Sequence, residues 1–296
     1  MRDPVAKKTR AQCLAAMISA AFVALCVCIG VTMNLVTIYD ENFDHMGIRT
    51  FSMFTVDSNI LMGIGMLLVL PYTVDGLRTG HYHLPNWIVD FLFVGVTGVA
   101  LTFLVSLFIL SPVKGFGLIF GGSRFFLHGV CPVISIVAFC VFICDHYIRV
   151  RETFWTLLPV FVYSMVYVTM VMVIGNWQDF YGFLTRLPAW VPILLILPIT
   201  FGIATLIRLF HNRCCLQRRK RDAKLYRDLY QDADLRKLVG EMARSRKKSM
   251  RAADILIPAR TIGHIIRNSE NELDIEEACR IYLDAFLNEG KGEDIG

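Results

Sequence analysis

The chain has 296 residues, 55% hydrophobic and 19% charged, with a formal net charge of +5 and a mean hydropathy of +0.53. That balance excludes an ordinary soluble domain of this length and points to a chain solvated largely by lipid. The charge is uneven, and it separates a membrane domain over 1–211 from a basic-then-acidic tail over 212–296.

Six apolar runs are predicted to span, at about 12–38, 51–74, 86–110, 124–144, 154–175 and 189–210, each near the roughly 20 helical residues that a bilayer core requires. The first follows Lys7, Lys8 and Arg10. It is longer than a signal-peptide core, and no small-residue cleavage site follows it, so it reads as an uncleaved span. Short connections make neighbouring helices antiparallel. The expected fold is therefore all-α: a polytopic bundle of six transmembrane helices with a cytoplasmic helical tail. Arg78, Arg149, Arg151 and the Arg213–Arg221 cluster fall on the same side as the basic N-terminus, whereas Asp40, Glu41 and Asp44 fall opposite. The positive-inside rule then places both termini in the cytoplasm, and the expected location is the plasma membrane.

The second run is the informative one. Ser52, Thr55, Asp57, Ser58 and Asn59 crowd polar groups into one short stretch, and lipid strongly disfavours polar groups without partners, so they should face the protein interior. Ser52, Thr55 and Asn59 share a helix face by three- and four-residue spacing. Thr55 lies about 7 Å inside the outer end of its span, at 1.5 Å per residue. His128 in the fourth run lies at a similar depth, and Pro132 removes the backbone donor that its carbonyl would meet in a regular helix. A neutral histidine can take the proton of a hydroxyl, which is how a weak alcohol nucleophile becomes competent. Cys131 is a rival nucleophile that apolar surroundings would keep inert. Asn34, and Asn176, Trp177, Asp179 and Tyr181 after the fifth run, could rim the same cavity or simply sit at the interface. A threonine in a membrane helix often bonds only its own preceding carbonyl; the crowding of polar neighbours is what lifts Thr55 above that reading.

The nine cysteines show neither metal-ligand pairing nor a secreted disulfide pattern. His81-Tyr82-His83 has no third ligand nearby, so neither a metal nor a cofactor is expected. In the tail, residues 212–251 hold fourteen Lys or Arg against five Asp or Glu, and residues 252–296 hold four against ten. Arg218-Arg219-Lys220-Arg221 and Arg246-Lys247-Lys248 suit anionic lipid head groups. Nucleic acid is not an expected partner, because no recognition motif accompanies the basic clusters. Leu225, Leu229, Leu235 and Leu238, and later Ile275, Ile281, Tyr282 and Phe286, trace helical apolar stripes.

Phe54-Thr55-Val56-Asp57-Ser58-Asn59 together with Phe126-Leu127-His128-Gly129-Val130-Cys131-Pro132 resembles the androgen-induced membrane hydrolase family and its bacterial six-span relatives. Animal members are threonine hydrolases that cleave esters between fatty acids and hydroxy fatty acids. The resemblance covers about residues 11–210. It implies Thr55 as nucleophile and His128 as base, acting on a lipid-like acyl ester in the bilayer. Ser58-Asn59 and the close His128-to-Pro132 spacing depart from the animal pattern. Asn34, Ser58 and Asn59 are the expected substrate-binding residues. The alternative expectation is a non-enzymatic membrane protein, a transporter or sensor, whose polar cluster binds a small ligand or proton.

Overall fold

The computed structural model describes residues 4–36, 47–79, 82–122, 124–144, 146–179, 181–182, 184, 188 and 190–229. Six helices are long and apolar enough to cross a membrane: α1 (Lys8–Val36 within Pro4–Val36), α2 (Phe54–Thr79), α3 (Asn86–Lys114), α4 (Phe125–Phe142), α5 (Val150–Ile174) and α6 (Leu194–Arg218 within Trp190–Leu229). Among the described residues there is no strand. The protein is an all-α polytopic bundle. Most of the tail stripes, from residue 230 on, lie outside the described residues.

Several helices differ in extent from the sequence expectation, and for two of them the cause is local. α5 begins at Val150, because Glu152 folds back to accept the Arg149 backbone N–H at 2.6 Å and closes a capping box at its start. α6 continues beyond residue 210 without a break, since the arginines, lysines and leucines that follow are good helix formers. The compact unit that contains the spans accordingly runs through Cys215 and comprises Gln12–Asp75 and Tyr82–Cys215. His211 places its two ring nitrogens 3.0 Å from the Phe139 and His146 carbonyls, and Asn212 pairs with both backbone groups of Ile148 at 2.9 Å. The second unit comprises Met1–Ala11, Gly76–His81 and Leu216–Gly296. Within it, the Arg10 guanidinium donates to the Arg78 carbonyl at 3.3 Å.

Small residues bring the helices of the larger unit together, as expected where lipid provides no hydrophobic drive. A Cβ on Gly95 of α3 would lie 3.2 Å from the Met62 Cα of α2, and one on Gly98 would lie 3.1 Å from the Ser58 Cβ. On the other side of α2, Gly63 packs against Val27 of α1, while Gly30 of α1 admits Leu127 of α4. α3 is the most enclosed helix, with 61% of its best window buried; α5, at 11%, turns most of its surface outward. Its exposed Phe154, Trp155, Leu158, Phe161 and Val162 form an apolar face suited to acyl chains.

Three spans are not regular α-helix throughout. Ser106–Leu110, Phe125–Val130 with Ala138–Phe142, and Thr169–Ile174 are π-helical. Such turns bond each carbonyl to the fifth following N–H, as Cys131 N–H does with Phe126 and Ser111 N–H with Ser106.

Candidate functional site

Thr55 occupies the first turn of α2 and is 7% exposed. It lines a cavity of about 70 Å³ whose wall comes from α2, α3, α5, α6 and the segment after α5. One end of that wall is polar, with the hydroxyls of Thr55, Tyr163, Tyr167 and Tyr181; the rest is mainly aliphatic, including Leu101, Val105, Leu110, Val160 and Ile196. The π turn at Ser106–Leu110 has a geometric role here. Its wider winding keeps Leu110 on the face already used by Thr102 and Ser106, so α3 lines the cavity over a longer stretch.

The polar end is a network of hydroxyls around the start of α2. A helix start leaves backbone N–H groups without helical partners. The Tyr181 hydroxyl accepts the Phe54 N–H at 3.2 Å, and the Thr55 and Tyr163 side chains stand beside it. Tyr163 donates its proton to the Ser52 carbonyl at 2.9 Å. Tyr167 donates to Asp179 at 2.8 Å, and the other oxygen of that carboxylate accepts the Leu184 N–H at 2.8 Å. Asp179 thereby pins the segment that delivers Tyr181. Burial pushes the Tyr181 phenol up from its ordinary range, so at neutral pH it remains a neutral hydroxyl with a proton to donate.

His128 is also buried, at 8% exposure, but it is not among the residues that line the cavity. Its ring meets Phe120 edge-on, with centroids 6.2 Å apart, and lies beside the Ile119 backbone. Nδ1 has no hydrogen-bond partner among the described residues. A neutral imidazole keeps a basic lone pair on one of its two nitrogens.

Asn59 links Thr55 to Leu127, the residue before His128. Fully buried, it donates through Nδ2 to the Thr55 carbonyl at 2.7 Å and to the Leu127 carbonyl at 3.0 Å. The second bond has a specific cause. In the π register of α4, Cys131 reaches Phe126, so residue 132 would serve Leu127, and Pro132 has no N–H to give. The carbonyl deprived by Pro132 is thus that of Leu127, one residue earlier than a regular helix implies, and Asn59 fills the vacancy from the neighbouring span.

The remaining predicted residues lie around this centre, outside the cavity wall. Ser58 donates to the Thr55 carbonyl at 3.1 Å and meets the Thr102 hydroxyl at 3.3 Å in the contact between α2 and α3. Asn34 is buried near the end of α1, where its carbonyl accepts the Thr50 hydroxyl at 3.3 Å. Cys131 is buried with its thiol against that of Cys26 on α1. His83 meets His146 with tilted rings, centroids 4.9 Å apart, and no group of three potential metal ligands occurs among the described residues.

No protein-family model, curated protein or solved structure matches the chain. Function therefore has to be read from these side chains. The tyrosines are what sequence reading undervalued. Tyr163 and Tyr167 sit four residues apart on an otherwise apolar span, with Ser164 between them, and that helical spacing was the available signal. Tyr181 was legible as a residue that rims the cavity or trims the interface, and it does line the cavity; its approach to Thr55 was not legible, because it depends on how the segment after α5 folds back.

Proposed function

We propose that the protein is an intramembrane hydrolase of lipid-like acyl esters, with Thr55 as nucleophile and His128 as base. The observation that carries this reading is the position of Thr55, whose side chain stands at the polar end of a largely apolar cavity within a membrane bundle. An ester carbonyl placed there meets a nucleophilic hydroxyl and, beside it, the Tyr181 hydroxyl as a donor to the developing oxyanion. Such donors supply much of the rate enhancement in acyl transfer. The neutral His128 ring is the proton acceptor. No described side chain joins it to Thr55, so this reading requires a bridging water between α2 and α4. The alcohol leaves with the proton that His128 took, and a second water, deprotonated the same way, cleaves the acyl-threonine to release the acid and restore the threonine. With both termini in the cytoplasm of a plasma-membrane protein, Thr55 works at the outer leaflet, and the basic tail rests on anionic lipid of the inner leaflet.

The test is turnover of neutral long-chain acyl esters by purified protein in nanodiscs. Thr55→Ser retains part of the rate, since the hydroxyl stays. Thr55→Ala and His128→Ala each abolish it, with little further loss in the double variant, because nucleophile and base act as one unit. Full turnover by Thr55→Ala overturns the assignment.

One observation favours a second reading, a non-enzymatic lipid or solute site. The described neighbour of the Thr55 hydroxyl is Tyr181, while His128 stands outside the cavity wall. A binding site of that kind holds ligand without turning it over. It predicts saturable binding by wild type and no acylation of Thr55 by any ester probe.

A further inference from the structure

The cavity at Thr55 has fifteen described lining residues, and every one is apolar or carries only a hydroxyl. Among the described residues, no lysine, arginine, histidine, aspartate or glutamate reaches its wall. The two titratable side chains that do stand close, among the described residues other than tyrosines, are both acidic. Asp179 grips the Tyr167 hydroxyl and the Leu184 N–H from behind, and the field of Asp57 reaches the Tyr181 hydroxyl.

These facts treat ligands of different charge very differently. A carboxylate or phosphate entering the cavity would lose its hydration, find no cation among the described lining residues to compensate, and lie near two carboxyl groups. Burying an ion without a counter-charge carries a penalty of several kcal/mol. An uncharged carbonyl has no such penalty. It needs a donor, and a neutral tyrosine hydroxyl beside Thr55 supplies one. The aliphatic remainder of the wall suits a hydrocarbon chain. At about 70 Å³ the cavity encloses only the reacting segment of a lipid, so the rest of the chain runs along the outward-facing surface of α5.

We infer that the site selects electrically neutral lipid esters, of the wax-ester or acylglycerol kind, and rejects lipids that bring a carboxylate or phosphate into the cavity. This deepens the hydrolase reading and rests on its placement of the substrate at Thr55. The selection comes from the wall of the cavity, so it acts on binding as well as on turnover.

The experiment uses wild-type protein in phosphatidylcholine nanodiscs and three photoreactive diazirine probes of equal chain length. They are a long-chain methyl ketone, which mimics a neutral ester and cannot be hydrolysed, the corresponding fatty acid, and the corresponding alkyl phosphate. At pH 8 the ketone should crosslink to peptides covering 101–110 and 160–168, with the acid and phosphate at least tenfold weaker there. Val105→Phe narrows the cavity and should reduce the ketone signal at those peptides, with retained folding checked by thermal unfolding. The wild-type probe comparison stands without that variant. Equal or stronger labelling by the acid or the phosphate overturns the inference and leaves Thr55 chemistry untouched. Ketone labelling confined to other surfaces overturns it as well. Absence of ester turnover in wild type is a separate result, bearing on the hydrolase reading alone, because the ketone reports binding without reaction.

Discussion

Replacing Asn59 by leucine tests the joint between the two halves of the site. Leucine keeps the volume and removes the amide. The Thr55 carbonyl keeps the Ser58 hydroxyl as a partner, whereas the Leu127 carbonyl loses the donor that substitutes for the missing N–H of Pro132. One buried acceptor is thus left unsatisfied, which costs about 1–3 kcal/mol in general. Hydrogen bonds between membrane helices fall toward the lower end, at about 0.6–1.7 kcal/mol. Asn59 Oδ1, itself buried without a partner among the described residues, leaves with the amide. The expectation for Asn59→Leu is therefore a loss at that lower end, about 1 kcal/mol or less, where about 1.4 kcal/mol is a tenfold change in the unfolding equilibrium. The structure also supplies a suppressor. Pro132→Ala restores a backbone N–H in register with Leu127, so it should recover much of the loss in the Asn59→Leu background. Reversible unfolding of the four proteins in bicelles, arranged as a double-mutant cycle, measures the coupling directly. Additive effects of the two substitutions would refute the claim that Asn59 stands in for the proline's missing donor.

Other expectations follow from individual contacts. Tyr181→Phe removes the hydroxyl that meets Phe54 N–H beside Thr55; ester turnover should fall about 100- to 1,000-fold through kcat, the scale of a lost oxyanion donor, measured by steady-state kinetics. Gly95→Ala places a methyl 3.2 Å from the Met62 backbone and should destabilise by about 1–3 kcal/mol, as overpacked interfaces do, read from the unfolding midpoint. Truncation after Cys215 should leave the spans folded, since His211 and Asn212 retain their bonds to the 146–148 turn. The detached tail should bind anionic vesicles with an affinity that falls steeply as salt rises, because screening acts over about 8 Å at physiological ionic strength; salt-insensitive sedimentation would argue against charge as its anchor.

Much of the architecture was legible because lipid imposes simple demands. Apolar length announces a span, and six such runs became six helices. The polar crowding at Thr55, Ser58 and Asn59 likewise announced interior partners, and each of these residues is buried. Less legible was what those partners are. Matching depth brought Thr55 and His128 to mind as a pair, yet depth leaves rotation about each helix axis open, and the Thr55 hydroxyl turns toward tyrosines of α5 and the segment after it. The π turns were equally hidden. They shift the effect of Pro132 from the His128 carbonyl to that of Leu127, and a register of that kind is set by packing between helices. The role of Asn59 follows from the shifted register, so it could not be read from α2 alone.

The most direct measurement is peptide mass spectrometry of wild-type protein quenched during exposure to an activated long-chain acyl ester in nanodiscs. The account expects one acyl group, on the peptide containing Thr55, absent from Thr55→Ala and retained by Cys131→Ala. Acylation at another residue, or a wild-type protein that no ester acylates while still binding lipid in the cavity, would contradict it.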